Sequence, residues 1–470
     1  MVCDGQGRLV SRADPGDVPP SDDEICTDEV CVGEKPEHRP VPTGIGCAYG
    51  KVCSAAGACV TCVTSDRRCG DGAIMSCNAR AEWVQESVCT GSCWRAVCAP
   101  FVEVALGDGH ACARFADGSV ACWGDNSSGQ LGHSHDPPLG PDPALPARVP
   151  TLDDVKDLAV GNEHACALRG DGSVVCWGSN DFGQLGDGTR VDRKTPVAPV
   201  GITGKVKQIA AGDFHTCALL DDGGVRCWGE NDDGQLGDGS VDRPFEGSAL
   251  GMVGAYAGEG GHRVHGLDAV TMIRSRAHLT CALERRGSVA CWGSSIGHGK
   301  LMVQASKMGK HRSVKVRRIG DATALALGAA HSCALLRDKT ALCWGDNSLG
   351  QLGDGTTRSR VSPAPVKGLA GIEALSAGSH VTCARLGDGT VHCWGTNGTA
   401  QLGDGSTEDR RGPIAVADLR DSRDLVVAST SACATLTSGS IVCWGGTRIG
   451  ETGPTPRRRP AALSIGGILP

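Results

Sequence analysis

Seven times along this chain, a cysteine is followed ten residues later by Cys-Trp-Gly. Cys112 is matched by Cys122, Cys166 by Cys176, Cys217 by Cys227 and Cys281 by Cys291. The last three couples are Cys333 with Cys343, Cys383 with Cys393, and Cys433 with Cys443. Their first members lie 54, 51, 64, 52, 50 and 50 residues apart. A recurrence of this length marks a propeller, a solenoid or another array, in which each repeat is one supersecondary unit.

Within a repeat the pattern is that of strands. A short apolar run such as Asp157–Gly161 opens it, His164 commonly follows, and Ala165–Leu168 and Ser173–Trp177 flank a Gly-Asp-Gly turn. Runs of four to six residues bounded by Gly and Asp are too short and too broken for helices. If Cys166 faces Cys176, the loop between the strands is Gly170-Asp171-Gly172. The third residue of such a hairpin loop takes the left-handed conformation, which glycine adopts without steric cost. Gly118, Gly223, Gly287, Gly389 and Gly439 hold the same place, and Lys339 departs from it.

That register decides the cysteines' fate. Directly opposed residues in a non-hydrogen-bonded antiparallel pair sit about 4.5 Å apart at Cα, within the disulfide range of about 4.4–6.8 Å. We therefore expect one cross-strand disulfide per repeat, each contributing roughly 2–3 kcal/mol by the chain-entropy account. Paired free thiols are the competing reading, and they would suit a reducing compartment.

Composition supports the oxidised reading. Of 26 cysteines, fourteen lie in the seven pairs and twelve before residue 100, and both counts are even. Seven of the nine tryptophans are the repeat Trp, so each repeat has one large apolar plug among small side chains. Such cysteine usage points to an oxidising compartment: the periplasm, the cell surface or the outside of the cell. The first residues carry no apolar leader segment, and we expect the natural start to lie upstream. No apolar run is long enough to span a membrane. A net charge of −7 and a pI near 6.1 argue against general nucleic-acid binding.

Residues 1–100 read as a separate cysteine-rich module that depends on disulfides rather than on a core. Cys59 and Cys62 form a CxxC, which admits zinc as a rival reading, but no second CxxC follows at finger spacing. The half around Trp83, from Cys69 to Cys98, resembles short cysteine-rich modules of myxobacterial surface proteins.

From residue 101 to 470, Ala-Gly-x-x-His-x-Cys-Ala-Leu, Val-x-Cys-Trp-Gly-x-Asn and Gly-Gln-Leu-Gly-Asp-Gly-Thr recur. The last is carried at Gly129–Gly132, Gly183–Gly188, Gly234–Gly239, Gly350–Gly355 and Ala400–Gly405. This resembles the regulator of chromosome condensation repeat, here in a bacterial secreted form with cysteine-paired blades. The resemblance implies an all-β fold: a seven-bladed β-propeller of four-stranded blades, preceded by the small disulfide-rich module. Because repeat one lacks a preceding Pro-Val segment, we expect the tail, residues 455–466, to complete the first blade and so close the ring.

Function is less legible. The recurrent histidines (His110, His164, His215, His331, with His278 and His380 one place earlier) sit one to a repeat in six of the seven repeats, which favours a structural hydrogen bond within the blade over metal ligation. The Asp125–Gln130 loop faintly resembles a calcium loop but lacks the closing Glu. We expect neither metal nor cofactor. No phosphate loop or nucleophile elbow is present. Repeats four and seven lose the Gly-Gln-Leu-Gly signature, and departures from a regular scaffold are where binding loops sit. In repeat four the replacement is the basic run 300–318, in which Lys307, Lys310, His311 and Arg312 form a candidate partner-binding loop; a solvated loop is the alternative. The resemblance implies a protein-binding propeller, since the family includes exchange factors for Ran and a secreted inhibitor of β-lactamases. We expect a monomeric surface or extracellular protein that is not an enzyme and binds a protein or surface polymer. An extracellular enzyme working in the propeller mouth and a nucleotide-exchange regulator are the alternatives.

Overall fold

The computed structural model describes residues 101–133, 146–241, 261–294 and 312–446 with their side chains. Residue 311, strand Arg457–Ala462 and the strands up to Cys98 are described as backbone. The chain divides into two units, Met1–Cys98 and Ala99–Pro470. The first contains short antiparallel hairpins and a three-stranded sheet, Arg67–Gly70, Ala73–Cys77 and Trp83–Val88. Backbone register sets Cys53 opposite Cys59 and Cys93 opposite Cys98. The expected bridges of this module, and the zinc alternative at Cys59 and Cys62, lie outside the described side chains.

The second unit is a ring of seven four-stranded antiparallel sheets, blades 1 to 7, spanning 101–148, 155–197, 206–263, 270–315, 322–365, 372–415 and 422–462. In every blade the strands follow chain order from the channel outward. Blade 2 is representative: Val155–Val160 lines the channel, His164–Arg169 and Val174–Gly178 form the middle, and Arg193–Val197 is the outer edge.

The cysteines pair as their spacing requires. Each couple is directly opposed across the middle hairpin of its blade and joined as a disulfide. In blades 1 to 4, Cys112 is bonded to Cys122, Cys166 to Cys176, Cys217 to Cys227 and Cys281 to Cys291. In blades 5 to 7, Cys333 is bonded to Cys343, Cys383 to Cys393 and Cys433 to Cys443. Their Cα atoms are 4.0–4.1 Å apart. This is slightly closer than the expected 4.5 Å or so, and it is the short spacing of a non-hydrogen-bonded pair. All fourteen of these cysteines are buried, and the bridges of blades 1 to 6 also pack in cores shared with the next blade. The hairpin glycine is left-handed throughout, for example Gly172 at φ +88°, and Lys339 takes the same conformation at φ +64°. Repeat five thus keeps the turn and accepts the strain of a side chain there.

Two links recur between neighbouring blades, the first at six of the seven junctions and the second at the five where the preceding blade keeps its Gln-Leu-Gly loop. First, the hairpin-turn carbonyl accepts the first N–H of the next innermost strand: Gly118 from Val155 (3.0 Å), Gly172 from Val206 (3.1 Å) and Gly389 from Ser422 (3.1 Å). Second, the repeat Trp donates its indole N–H to the Gln carbonyl of the preceding blade's Gly-Gln-Leu-Gly loop. Trp177 bonds Gln130, Trp228 bonds Gln184 and Trp394 bonds Gln351, each at 2.9 Å. The loop must come close to do this. A methyl carbon at Gly186 would lie 2.8 Å from the Trp228 indole nitrogen. The two most distinctive motifs of the repeat are therefore two halves of one contact between neighbouring blades.

The expected role of residues 455–466 is corrected by the topology. Arg457–Ala462 pairs with Ile441–Gly445 as the outer strand of blade 7, whereas blade 1 has its own outer strand, Ala147–Arg148. The Pro-containing segment that follows each Gly-Gln-Leu-Gly loop is the last strand of its own blade, so nothing is missing from blade 1. The ring closes instead by the inter-blade bond repeated once more, from Phe101 N–H to the Gly439 carbonyl (3.2 Å).

The histidines also differ from expectation. His164, His215 and His331 reach out of their own blade, placing Nε2 2.9, 2.7 and 2.7 Å from the hydroxyls of Thr216, Thr280 and Thr382 in the next. Thr216 donates onward to the Gln184 carbonyl (2.9 Å), so His164 Nε2 carries the hydrogen and the hydroxyl accepts it. Burial holds these three imidazoles down to about 3 and His110 to about 4, and all are neutral.

Candidate functional site

Antiparallel order places two loops of each blade on one face: the short loop between the first and second strands, and the long loop between the third and fourth. They are tied together, because the residue after Cys-Trp-Gly donates its N–H to the carbonyl of the residue before the repeat His. Ser179 bonds Glu163 (2.8 Å), Glu230 bonds Phe214 (2.9 Å) and Asp346 bonds Ala330 (2.8 Å). The Gly between them is left-handed, from φ +87° to +108° across the seven blades. A methyl carbon at Gly178 would lie 2.4 Å from the Glu163 carbonyl oxygen.

On this rigid frame two positions change from blade to blade. Three residues before the first cysteine stand Gly109, Glu163, Phe214, His278, Ala330, His380 and Thr430. Five residues after the Trp stand Ser128, Phe182, Asp233, Leu349 and Thr399 in the blades that keep the long-loop signature. The structure brings the second kind against the first kind of the following blade. Ser128 reaches Glu163 (3.4 Å), the rings of Phe182 and Phe214 are 5.2 Å apart, Asp233 lies 3.5 Å from His278, and Thr399 donates to the Thr430 carbonyl (3.0 Å). Four of the seven junctions thus bring a different pair of residues together around the channel mouth.

The long loops are held from beneath. Asp187 accepts from Asn180 (3.0 Å) and Thr189 (2.7 Å) and pairs with Arg193; Asp354 and Asp404 repeat this with Arg360 and Arg410. Burial pushes the Asp187 carboxyl up, but Thr189 and Arg193 more than offset it and hold it below the usual range. Asp125, weighed above against a calcium loop, caps Ser127 and Gln130. Among the described residues no group of three or more His, Cys, Asp and Glu is placed to hold a metal, and no helix is long and apolar enough to cross a membrane.

The channel encloses about 380 Å³. Its polar side chains satisfy backbone N–H groups of the neighbouring blade: Asp157 accepts from Ile209 (3.2 Å), Gln208 from Ile273 (2.9 Å) and Ser376 from Val427 (3.0 Å). Burial, helped by Asp157, pushes the Glu103 carboxyl up to about 7 although Arg114 bonds it at 2.9 Å. Glu373 on the same channel is paired with Lys339 (2.5 Å).

Blade 4 breaks the pattern at the mouth. In blades 1, 2, 3 and 5 a Gly lies under the repeat His, whereas blades 6 and 7 carry Val381 and Ser431 in its place; a methyl carbon at Gly212 would sit 2.1 Å from the His215 ring. In blade 4, Leu279 replaces the His and Arg276 replaces the Gly. Arg276 crosses the mouth to Asp108 of blade 1 (3.0 Å) and Ser429 of blade 7 (3.1 Å). Of the candidate partner-binding loop, Lys307 and Lys310 lie outside the described residues. His311 and Arg312 form a two-residue strand against Asp238–Gly239, and Arg312 is exposed. The paired variable positions were not singled out from sequence, although aligning the copies on Cys and Trp exposes them.

The fold is shared with solved structures. Saccharomyces cerevisiae Prp20p matches with a TM-score of 0.58 at 22% identity over 70% of this chain and 80% of that one. Human WBSCR16 matches with the same TM-score and identity over 70% and 84%. Among curated proteins, human E3 ubiquitin-protein ligase HERC2 is 32% identical over 277 residues, 57% of this chain and 5% of the ligase. The Arabidopsis thaliana ultraviolet-B receptor UVR8 is 28% identical over 314 residues, 56% of this chain and 69% of the receptor. The match thus spans only a twentieth of the ligase's length. Regulator of chromosome condensation (RCC1) repeats match residues 101–130 and 117–168. With the RCC1-like domain matching residues 143–464, this chain belongs to the RCC1-like domain family.

Proposed function

We propose that this chain is a binding protein of the cell surface or extracellular space, and that its propeller meets a macromolecular partner through the face carrying the paired variable positions. One observation carries this reading. The residues that hold the ring together repeat from blade to blade, while the pairs at the junctions around the mouth do not. Repetition serves the scaffold, and variation at fixed places on a rigid frame is what a specific docking surface needs. The related propellers act in the same general manner: yeast RCC1 (Prp20) has been crystallised with Kap60, and Prp20p binds Gsp1p and histones. Seven disulfides, none of them needed to build a propeller hairpin as such, favour an oxidising compartment.

An enzymatic reading would need carboxylates of several blades converging on one point. Among the described residues, Glu103 and Asp157 adjoin but Glu373 is drawn to Lys339. The test uses the full chain. Capture of a partner should be abolished by changing the junction pairs and unaffected by changing the hairpin turns of the opposite face. Equal capture by both sets of variants rules out the proposed face. Thiol titration of the unreduced, unfolded protein should find the fourteen propeller cysteines blocked.

A further inference from the structure

The chain contains only five phenylalanines. Phe101 and Phe115 are fully buried, whereas Phe182 and Phe214 are only half-buried and meet each other on the variable face, with rings 5.2 Å apart. The row continues into blade 4, where the His278 ring stands edge-on to Phe214 at 6.4 Å. Aromatic residues placed this way are not filling a core, and the two positions accept polar residues, such as Ser128, Asp233 and Thr399 or Glu163, His278 and Thr430, in other blades.

The surroundings of the row are anionic. Asp181 is exposed beside Phe182, and Asp213 precedes Phe214. Glu163 occupies in blade 2 the slot that Phe214 fills in blade 3. At the far end His278 lies 3.2 Å from Glu230 and 3.5 Å from Asp233, the latter side chain nearly half exposed. The neighbouring cation Arg276 is taken up by Asp108 and Ser429. Burial pushes the Asp213 carboxyl up although Arg276 counters it, so this carboxyl is under-compensated.

We infer that the Phe182–Phe214 row seats an arginine or lysine side chain from a basic segment of a protein partner, the cation lying on the ring faces with carboxylates at its rim. This rests on the reading above and adds the chemistry of the partner. An aromatic face attracts a cation through its quadrupole, and Arg adds planar stacking. The rim carboxylates bring a cationic segment in and fix its register. An apolar partner would leave those carboxylates facing it unpaired, which opposes it. An acidic partner would meet like charge.

The probe is a synthetic Gly-Ser peptide carrying spaced arginines, titrated into the full chain by calorimetry at low salt, with Lys and Glu versions alongside. The Arg peptide should bind best and the Glu peptide not at all. The double change Phe182→Leu with Phe214→Leu should weaken binding by roughly three- to thirtyfold. Asp181→Asn with Asp233→Asn should weaken it comparably. Asp171→Asn with Asp388→Asn, which removes the same charge from hairpin turns on the opposite face, should leave it unchanged. Thermal melting establishes that every variant is folded. If the turn variant weakens binding as much as the rim variant, the attraction is only that of the net charge and the inference is overturned. Undiminished binding by the folded Phe variant overturns it equally. A partner still captured by the patch variants but lost on changing other junction pairs would sink the cation seat and leave the broader function standing.

Discussion

His164 of blade 2 and Thr216 of blade 3 are linked by a 2.9 Å hydrogen bond, 52 residues apart in sequence. The same link joins His215 to Thr280 and His331 to Thr382. Of the four blades that carry this His, blade 1 lacks the link. His110 faces Ala165 in the position where Thr216 stands opposite His164, and the buried Nε2 of His110 lacks a hydrogen-bond partner.

Ala165→Thr should supply that partner. The new hydroxyl would accept from His110 Nε2 and donate to the Gln130 carbonyl, as Thr216 does to Gln184. We expect stabilisation of about 0.5–1.5 kcal/mol, the net value of a buried hydrogen bond. Thermal or denaturant unfolding measures it. Ala165→Val, which adds bulk without a hydroxyl, should bring no gain; equal gains from both would mean that packing alone is responsible.

Gly186→Ala should be among the costlier single changes. The added carbon meets the Trp228 indole at 2.8 Å, and the position is left-handed at φ +71°. A loss on the order of 2–4 kcal/mol is expected from strain and overpacking together. Gly355→Ala, also left-handed but with open space around it, should lose about 1 kcal/mol from the backbone alone. Chemical denaturation of the two variants separates clash from backbone cost.

The channel carboxyl of Glu103 gives a pH signature. Its value in the folded protein, about 7, is above the ordinary 4.5. Between those values the unfolded chain has released a proton that the folded protein still holds, so Glu103 costs stability progressively as pH rises through this window. Glu103→Gln removes that cost while keeping an acceptor. Its stability relative to the natural protein should therefore climb by on the order of 1–3 kcal/mol from pH 4.5 to 7 and level off above. A difference that is flat with pH would show Glu103 ionised throughout.

Deleting residues 457–462 should loosen blade 7 and leave blade 1 protected. Hydrogen exchange is the readout: amides of Ile441–Gly445 that pair with this strand should exchange faster, and those of Phe101–Leu106 should not. Loss of protection in Ala147–Arg148 or Phe101–Leu106 instead would restore the tail to blade 1.

The repeat period, the hairpin register and the glycine at each turn could be read directly from the chain. They are local: a ten-residue spacing with Gly in third place of the loop leaves one way for two cysteines to face each other. The resemblance carried by Gly-Gln-Leu-Gly and Cys-Trp-Gly extended this to seven blades. The partnership of those motifs was out of reach, since Gln184 and Trp228 meet across 44 residues and only the ring brings them together. The blade boundary shifted for the same reason. The Pro-containing segment reads as a strand equally well before one repeat or after another, and hydrogen bonding to Ile441–Gly445 decides which.

The chain by itself determined what is covalent and short-range: strands, turns, cysteine pairing and the number of blades. Tertiary structure alone decided which residues meet from one blade to the next. His164 found Thr216, Phe182 found Phe214, and Arg276 spanned the mouth to Asp108. Such contacts depend on how far each blade is rotated about the ring and how closely its neighbour packs, and no spacing along a single strand encodes that rotation.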